Sequence, residues 1–178
     1  ALATAMLASA SRLAAAHDLA GVAAETTRTM RLAATFLLPS SVAFLLLGLP
    51  FTRLAFGHGA GADGWLYIGW TLMAFAVGLV PYTVQYVYLR GFYALEDTRT
   101  PFLIQIAISG ANVVFALALT AVDANPCTVA PRLALAHSPS HALGAFFDRA
   151  ALRRRLPGLP GVGLVQHLGQ LLVAVLPG

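Results

Sequence analysis

The stretch RGFYALEDTRTP, Arg90 to Pro101, decides how this chain folds, because it gathers four charges between two long uncharged runs, 64–89 and 100–122. Two membrane helices joined by a wet turn require that arrangement: charge is tolerated where water is and excluded from the hydrocarbon. Each polar residue has a local task. Arg90 falls in the last turns of the preceding helix, where a cation suits the negative helix end and can snorkel toward headgroups. Thr100-Pro101 reads as a helix start, with Thr as N-cap and Pro at the first helical position, where no N–H is missed. Glu96 and Asp97 can pair with Arg90 and Arg99, which leaves the turn neutral.

Composition extends this to the whole chain. Of 178 residues, 58% are hydrophobic and 10% charged, with a mean hydropathy of +0.77. An ordinary soluble domain is about 25% charged, so the chain lacks the polar surface to coat a globule. All eleven basic residues are Arg. A basic balance can signal nucleic acid, but these Arg residues lie between apolar runs instead of along one stripe. Membrane orientation explains them, and no nucleic-acid partner is expected. Cys127 is the sole cysteine, which excludes an intrachain disulfide and a thiol-rich metal site. The opening ALATAMLASASRLAAA has no basic leader region. It reads as the tail of a helix over 1–16, the first indication of a partial chain.

A membrane helix needs about 20 apolar residues. The runs 32–52, 65–89 and 101–121 meet that requirement. The first holds eleven Leu, Phe or Val residues, about −5 kcal/mol on an insertion scale. The run 133–147 is a weak span, with five strong apolar residues, about −2.5 kcal/mol, against two His, two Ser and a central Pro. A fifth run, 162–177, reads as an incomplete span. Together, 1–178 form a single all-α transmembrane bundle. If the spans alternate, nine Arg residues fall on one side and only Arg53 and Arg132 on the other. Arg-rich loops stay cytoplasmic, which puts the Arg90–Pro101 turn there. Trp65, Tyr67 and Trp70 at one end of the second span, with Tyr82, Tyr86 and Tyr88 toward the other, fit interfacial belts.

No constellation for covalent chemistry assembles: no paired acids, no Ser-His-Asp set, no phosphate-binding glycine loop. The chain therefore reads as no enzyme, with no catalytic residue and no cofactor. His137 and His141 have ligand spacing, but Pro139 lies between them and Asp148 is seven residues on, so no metal site is expected. The run Arg153-Arg154-Arg155 reads as an orientation and headgroup-contact segment. Gln85, Gln105 and Asn112 are polar at membrane depth and read as interhelical hydrogen-bond formers, with Gly110 and Ala111 permitting close approach. Pro39 and Pro81 interrupt the backbone ladder of their spans and are candidate hinges.

The turn also carries a resemblance. RGFYALEDTRTPFLI resembles the stretch joining two membrane helices in the MurJ (MviN) family of lipid II flippases, which there reads Arg-x-Phe-Tyr-Ala-Leu-x-Asp-Thr-Arg-Thr-Pro. The match covers Arg90, Phe92, Tyr93, Ala94, Leu95, Asp97, Thr98, Arg99, Thr100 and Pro101. Upstream, Arg31, Leu32, Leu38, Pro39, Arg53, Leu54 and Phe56 fall on the family's preceding helix. The resemblance holds over about residues 1–120 and fades beyond. MLASASRL lacks the proline usual at its place, and HSPSH stands where apolar residues or Tyr are expected.

The resemblance implies an incomplete segment, from the second lobe, of a MurJ-like (MOP-type) transporter. Such a protein is multi-pass in the bacterial plasma membrane and moves lipid-linked peptidoglycan precursor between leaflets without a covalent step. Its implied partners are membrane lipids, that precursor, and a missing lobe or another membrane protein. The family's substrate-contacting Arg and Asp positions have no counterpart in this sequence, so no substrate-binding residue is assigned. Alone, the segment is expected not to transport. The competing class is a small membrane interaction or assembly protein. Orientation is testable by substituted-cysteine labelling in a Cys127→Ser background. A cysteine at Thr98 should react only from the cytoplasm and one at Gly59 only from outside; the reverse pattern would overturn the Arg count.

Overall fold

The computed structural model describes residues 2–59, 62–122, 125–156, 158–159 and 169–170. The expected run 162–177 therefore lies outside the described residues, apart from 169 and 170. The elements are α1 (Leu2–Ala15), α2 (Leu19–Phe56), α3 (Trp65–Ala94), α4 (Arg99–Ala121), a 3-10 turn (Pro126–Thr128) and α5 (Val129–Arg155), with no strand among the described residues. Among these, α2, α3 and α4 are long and apolar enough to cross a membrane. α5 is as long but falls short in apolar content, since its buried residues include Ser138, Ser140, His141 and Asp148.

α2 begins well before the expected run at 32. Asp18 starts it, its Oδ1 accepting from the Gly21 N–H at 2.8 Å, after His17 has turned the chain with φ 59°. From there Val22, Ala23, Thr26, Thr29, Met30, Ala33 and Ala34 form a buried stripe at helical spacing, so the polar segment around Glu25 and Arg28 is one face of a helix. At 38 residues, α2 is about 57 Å long, nearly twice the thickness of a hydrocarbon core of about 30 Å. Its first third therefore has room to stand clear of the bilayer.

α3 is the central helix. α2 packs along one side of it, α5 along the other, and α1 crosses between α2 and α3 at the end near Ala94. Small residues set these distances. A Cβ at Gly78 would lie 2.8 Å from Ser138 Oγ, and one at Gly144 would lie 2.3 Å from Ile108. Between α2 and α3, Ser41 Oγ donates to the Ala76 carbonyl at 2.6 Å. The expected close approach at Gly110 does not form: nothing lies within 4 Å of a Cβ there. α4 is instead seated by Ile108 over Gly144, packs chiefly on α5 and barely touches α3. The apolar core gathers near the α3–α4 turn, where Met6, Val22, Val87, Phe92, Leu152 and Leu156 are fully buried.

That turn closes in a different way from the expected one. The Asp97 N–H returns to the Phe92 carbonyl at 3.0 Å, with Glu96 at φ 57°. The cap of α4 is not Thr100. Asp97 Oδ1 accepts from the N–H groups of Arg99 and Thr100, both at 3.1 Å, and Oδ2 from the Thr100 hydroxyl at 2.7 Å. A carboxylate two and three residues upstream meets two orphan donors at once, which a Thr next to Pro101 cannot do. Pro101 then falls where its missing N–H would have met the Asp97 carbonyl, so the first backbone bond is Phe102 N–H to Thr98, at 3.3 Å.

The expected pairing within the turn is replaced as well. Asp97 pairs with Arg155 of α5 at 3.1 Å, whereas Arg90 donates to the Tyr86 hydroxyl and lies over its ring, 4.9 Å from the centroid. Arg90 therefore turns back along its own helix instead of reaching outward. Hydrogen bonds from the Thr100 N–H and hydroxyl, with Arg155 adding a smaller pull, hold the Asp97 carboxyl below the usual carboxylate range. A depressed folded value stabilises the fold above the unfolded carboxylate value and loses that contribution as pH falls through the folded one. Asp97→Ala should cost about 1 kcal/mol near neutrality, read as a lowered thermal midpoint in detergent. The gap to wild type should close in acid; a gap that persists there would contradict the cap.

Candidate functional site

The turn residues singled out from the sequence prove to be joinery. Phe92 is fully buried, Pro101 is buried and Asp97 caps α4, whereas Tyr93, Thr98 and Arg99 are exposed. Arg90 is half-buried against Tyr86. Nothing about this group converges on a ligand. Pro39 lies within α2 and Pro81 within α3, and both helices run through them unbroken.

The polar chemistry collects one step deeper, where α3, α4 and α5 meet. His141 Nδ1 and Gln85 Oε1 are 2.8 Å apart, both side chains being buried. Since an amide oxygen only accepts, the imidazole proton sits on Nδ1. Gln85 Nε2 then donates to Gln105 Oε1 at 3.4 Å, so one amide bridges α5 and α4 from α3. The expected interhelical roles of Gln85 and Gln105 are realised here, while Asn112 is half-buried farther along α4 and outside this cluster.

His137 lies against His141 with ring centroids 4.1 Å apart and the ring planes tilted by 59°. Tyr82 meets both imidazoles, at 5.9 and 5.0 Å, and Phe75 meets His137 at 6.0 Å. α5 continues through Pro139, so the two histidines do share a helix face. What surrounds them is aromatic and amide, not ligating. Among the described residues no group of three or more His, Cys, Asp or Glu is placed to hold a metal ion.

Asp148 completes the α5 face. It is 1% exposed, and neither carboxylate oxygen has a hydrogen-bond partner. From the sequence Asp148 reads only as a remote ligand candidate, not as a buried group. The signal was present: 137, 141, 144, 148 and 152 recur at helical spacing, and that stripe is the one α5 turns toward α3 and α4. Its polar members disguised it, because a buried stripe is ordinarily sought among apolar residues.

Comparison with known proteins places this geometry. The family described as lipid II flippase MurJ matches residues 1–177. A probable lipid II flippase MurJ of Rhizobium meliloti (strain 1021) is 32% identical over 83 residues, covering 46% of this chain and 16% of that protein. A lipid II flippase MurJ of Thermosipho africanus (strain TCF52B) is 30% identical over 80 residues, 44% of this chain and 17% of that one. Among solved structures, a lipid II flippase MurJ in an inward closed conformation superposes with a TM-score of 0.78 at 20% identity, covering 98% of this chain and 35% of its own. The chain thus corresponds to about a third of that structure, and the aligned stretches make up about a sixth of each curated relative. With the family matched along nearly its whole length and three helices apolar enough to span a bilayer, this multi-pass membrane protein belongs to the lipid II flippase MurJ family.

Proposed function

We propose that this chain forms part of the second lobe of a lipid II flippase in a bacterial plasma membrane, and that it does not carry out translocation alone. The observation behind this reading is one of proportion: a family match along the chain, with a fold that accounts for 35% of the solved relative. Moving a charged headgroup past hydrocarbon needs a hydrated, cation-lined cavity between two halves that alternate in access. The described residues supply packed scaffold instead: apolar helix faces, a capped turn and a buried amide–imidazole bridge.

In this reading the α3–α4 turn faces the cytoplasm, with Arg90 and Arg99 among the nine Arg residues of that side. Pro39 and Pro81 serve as hinges, each lacking one backbone hydrogen bond within a long helix. Lipid II is the proposed cargo, translocated without a covalent step.

The deciding experiment is complementation of a strain depleted of its own flippase. Expressed alone, the chain should insert in the membrane and fail to restore growth. Grafted in place of the matching helices of a MurJ-family flippase, it should restore growth. Rescue by the chain alone would overturn the scaffold reading. An inserted but inactive graft, with the chain captured on an intact membrane partner, would favour the assembly-protein class instead.

A further inference from the structure

A buried carboxylate lies two turns along α5 from the His141–Gln85 bond. Asp148 is 1% exposed with both oxygens unpartnered. An ionised carboxylate in such a place must be paired, ligated or neutralised, because its desolvation cost is otherwise uncompensated. Its neighbours do not pair it. On α3, the buried Tyr88 has Asp148, Arg149 and Arg153 as its charged surroundings, and the two arginines follow Asp148 on α5 itself. Arg90, also on α3, is committed to Tyr86 and leaves its own Nε unpartnered. α4 contributes the uncharged Gln105 and Ile108, and α1 and α2 bring Met6, Val22 and Met30 to the adjoining core.

Ligation by a metal ion fails on the donor set. Hard cations want six or more oxygens, and no group of three or more His, Cys, Asp or Glu gathers among the described residues. A proton needs one oxygen. The polar side chain that comes within reach is Gln85, whose Cγ lies 3.3 Å from the Cβ position of Gly144, one turn before Asp148. Its Oε1 is held by His141 at 2.8 Å, but its Nε2 is held by Gln105 at only 3.4 Å. An N–H···O bond is best near 2.9 Å, so that second bond is the weak one.

We propose that Asp148 is a proton-binding site, and that the bound proton decides whether Gln85 Nε2 ties α3 to α4 or adds a second tie from α3 to α5. With the proton bound, Asp148 is neutral and Gln85 Nε2 stays on Gln105. When the proton leaves to water, the carboxylate draws Nε2 across, because hydrogen bonds to a charged acceptor are about twice as strong. His141 keeps Oε1 throughout. α4, which packs chiefly on α5, then loses a side-chain tie to α3. This exchange stands apart from the transport reading.

The test is infrared spectroscopy of the purified full chain over a pH series. Wild type should show a carboxylic-acid C=O stretch that persists above the range where exposed carboxylates ionise. Asp148→Asn should lose this band, and Asp63→Asn, at an exposed site, should keep it. Gln105→Leu frees Gln85 Nε2 for the carboxylate and should move loss of the band to lower pH. In parallel, the thermal midpoint of wild type should fall as pH rises, since ionisation favours the unfolded chain, and Asp148→Asn should flatten that slope. Absence of the band near neutrality, or its survival in Asp148→Asn, would overturn the proton site. A Gln105→Leu band that does not move would overturn the amide exchange. If Asp148→Asn does not fold, the wild-type band and the Gln105→Leu shift still decide both points.

Discussion

The seam between α3 and α5 is the constraint on which the rest depends. α5 carries Ser138, Ser140, His141 and Asp148 as buried residues and is not apolar enough to stand in hydrocarbon on composition. Its polar groups need a partner helix. α3 supplies one by having Gly78 where Ser138 must fit, Gln85 where His141 must bond and Gly91 where Leu152 must pack. α4 rides on α5, and α2 lies on the opposite side of α3. Opening the seam would strand α4 and leave α2 and α3 as a pair. The seam also explains why polar side chains tolerate membrane depth here: in a low-dielectric interior a satisfied amide–imidazole bridge is affordable, whereas an unsatisfied one is not.

The α3–α4 joint is the second fixed point. Asp97 has a backbone and a tertiary task, capping α4 and meeting Arg155 at the end of α5. Phe92, five residues earlier, fills the core beneath the same turn. A turn that must cap one helix, end another and seat an aromatic side chain has little freedom in residue type. Its pattern is therefore recognisable from these structural constraints alone.

Much of this was legible in the sequence, for physical reasons. Fold class and family could be read because charge exclusion from hydrocarbon leaves a strong one-dimensional record, and because Arg90–Pro101 is constrained at so many positions. The start of α2 was missed because Glu25, Arg28 and Arg31 broke the uncharged run, although buried Val22, Thr26 and Met30 kept helical spacing beneath them. The cap was misplaced from Asp97 to Thr100 because Thr-Pro is a strong local pattern, and local pattern does not register that one carboxylate can satisfy two donors. The Asp148 site was passed over because burial of a charged residue is decided by tertiary packing. Gly110 reads from the sequence as a point of close approach for the same reason: only the packed helices show that Gly144 faces a neighbour and Gly110 does not.

The α3–α5 seam can be measured directly by crosslinking. In a Cys127→Ser background, Gly78→Cys and Ser138→Cys would place their Cβ atoms about 3.6 Å apart, within the range a disulfide accepts. This packing predicts that mild oxidation in native membranes joins the two positions nearly completely within one chain, while Gly110→Cys with Ser138→Cys stays unlinked. A folded, inserted chain in which the first pair does not link would contradict the seam and, with it, the arrangement of α4 and α5.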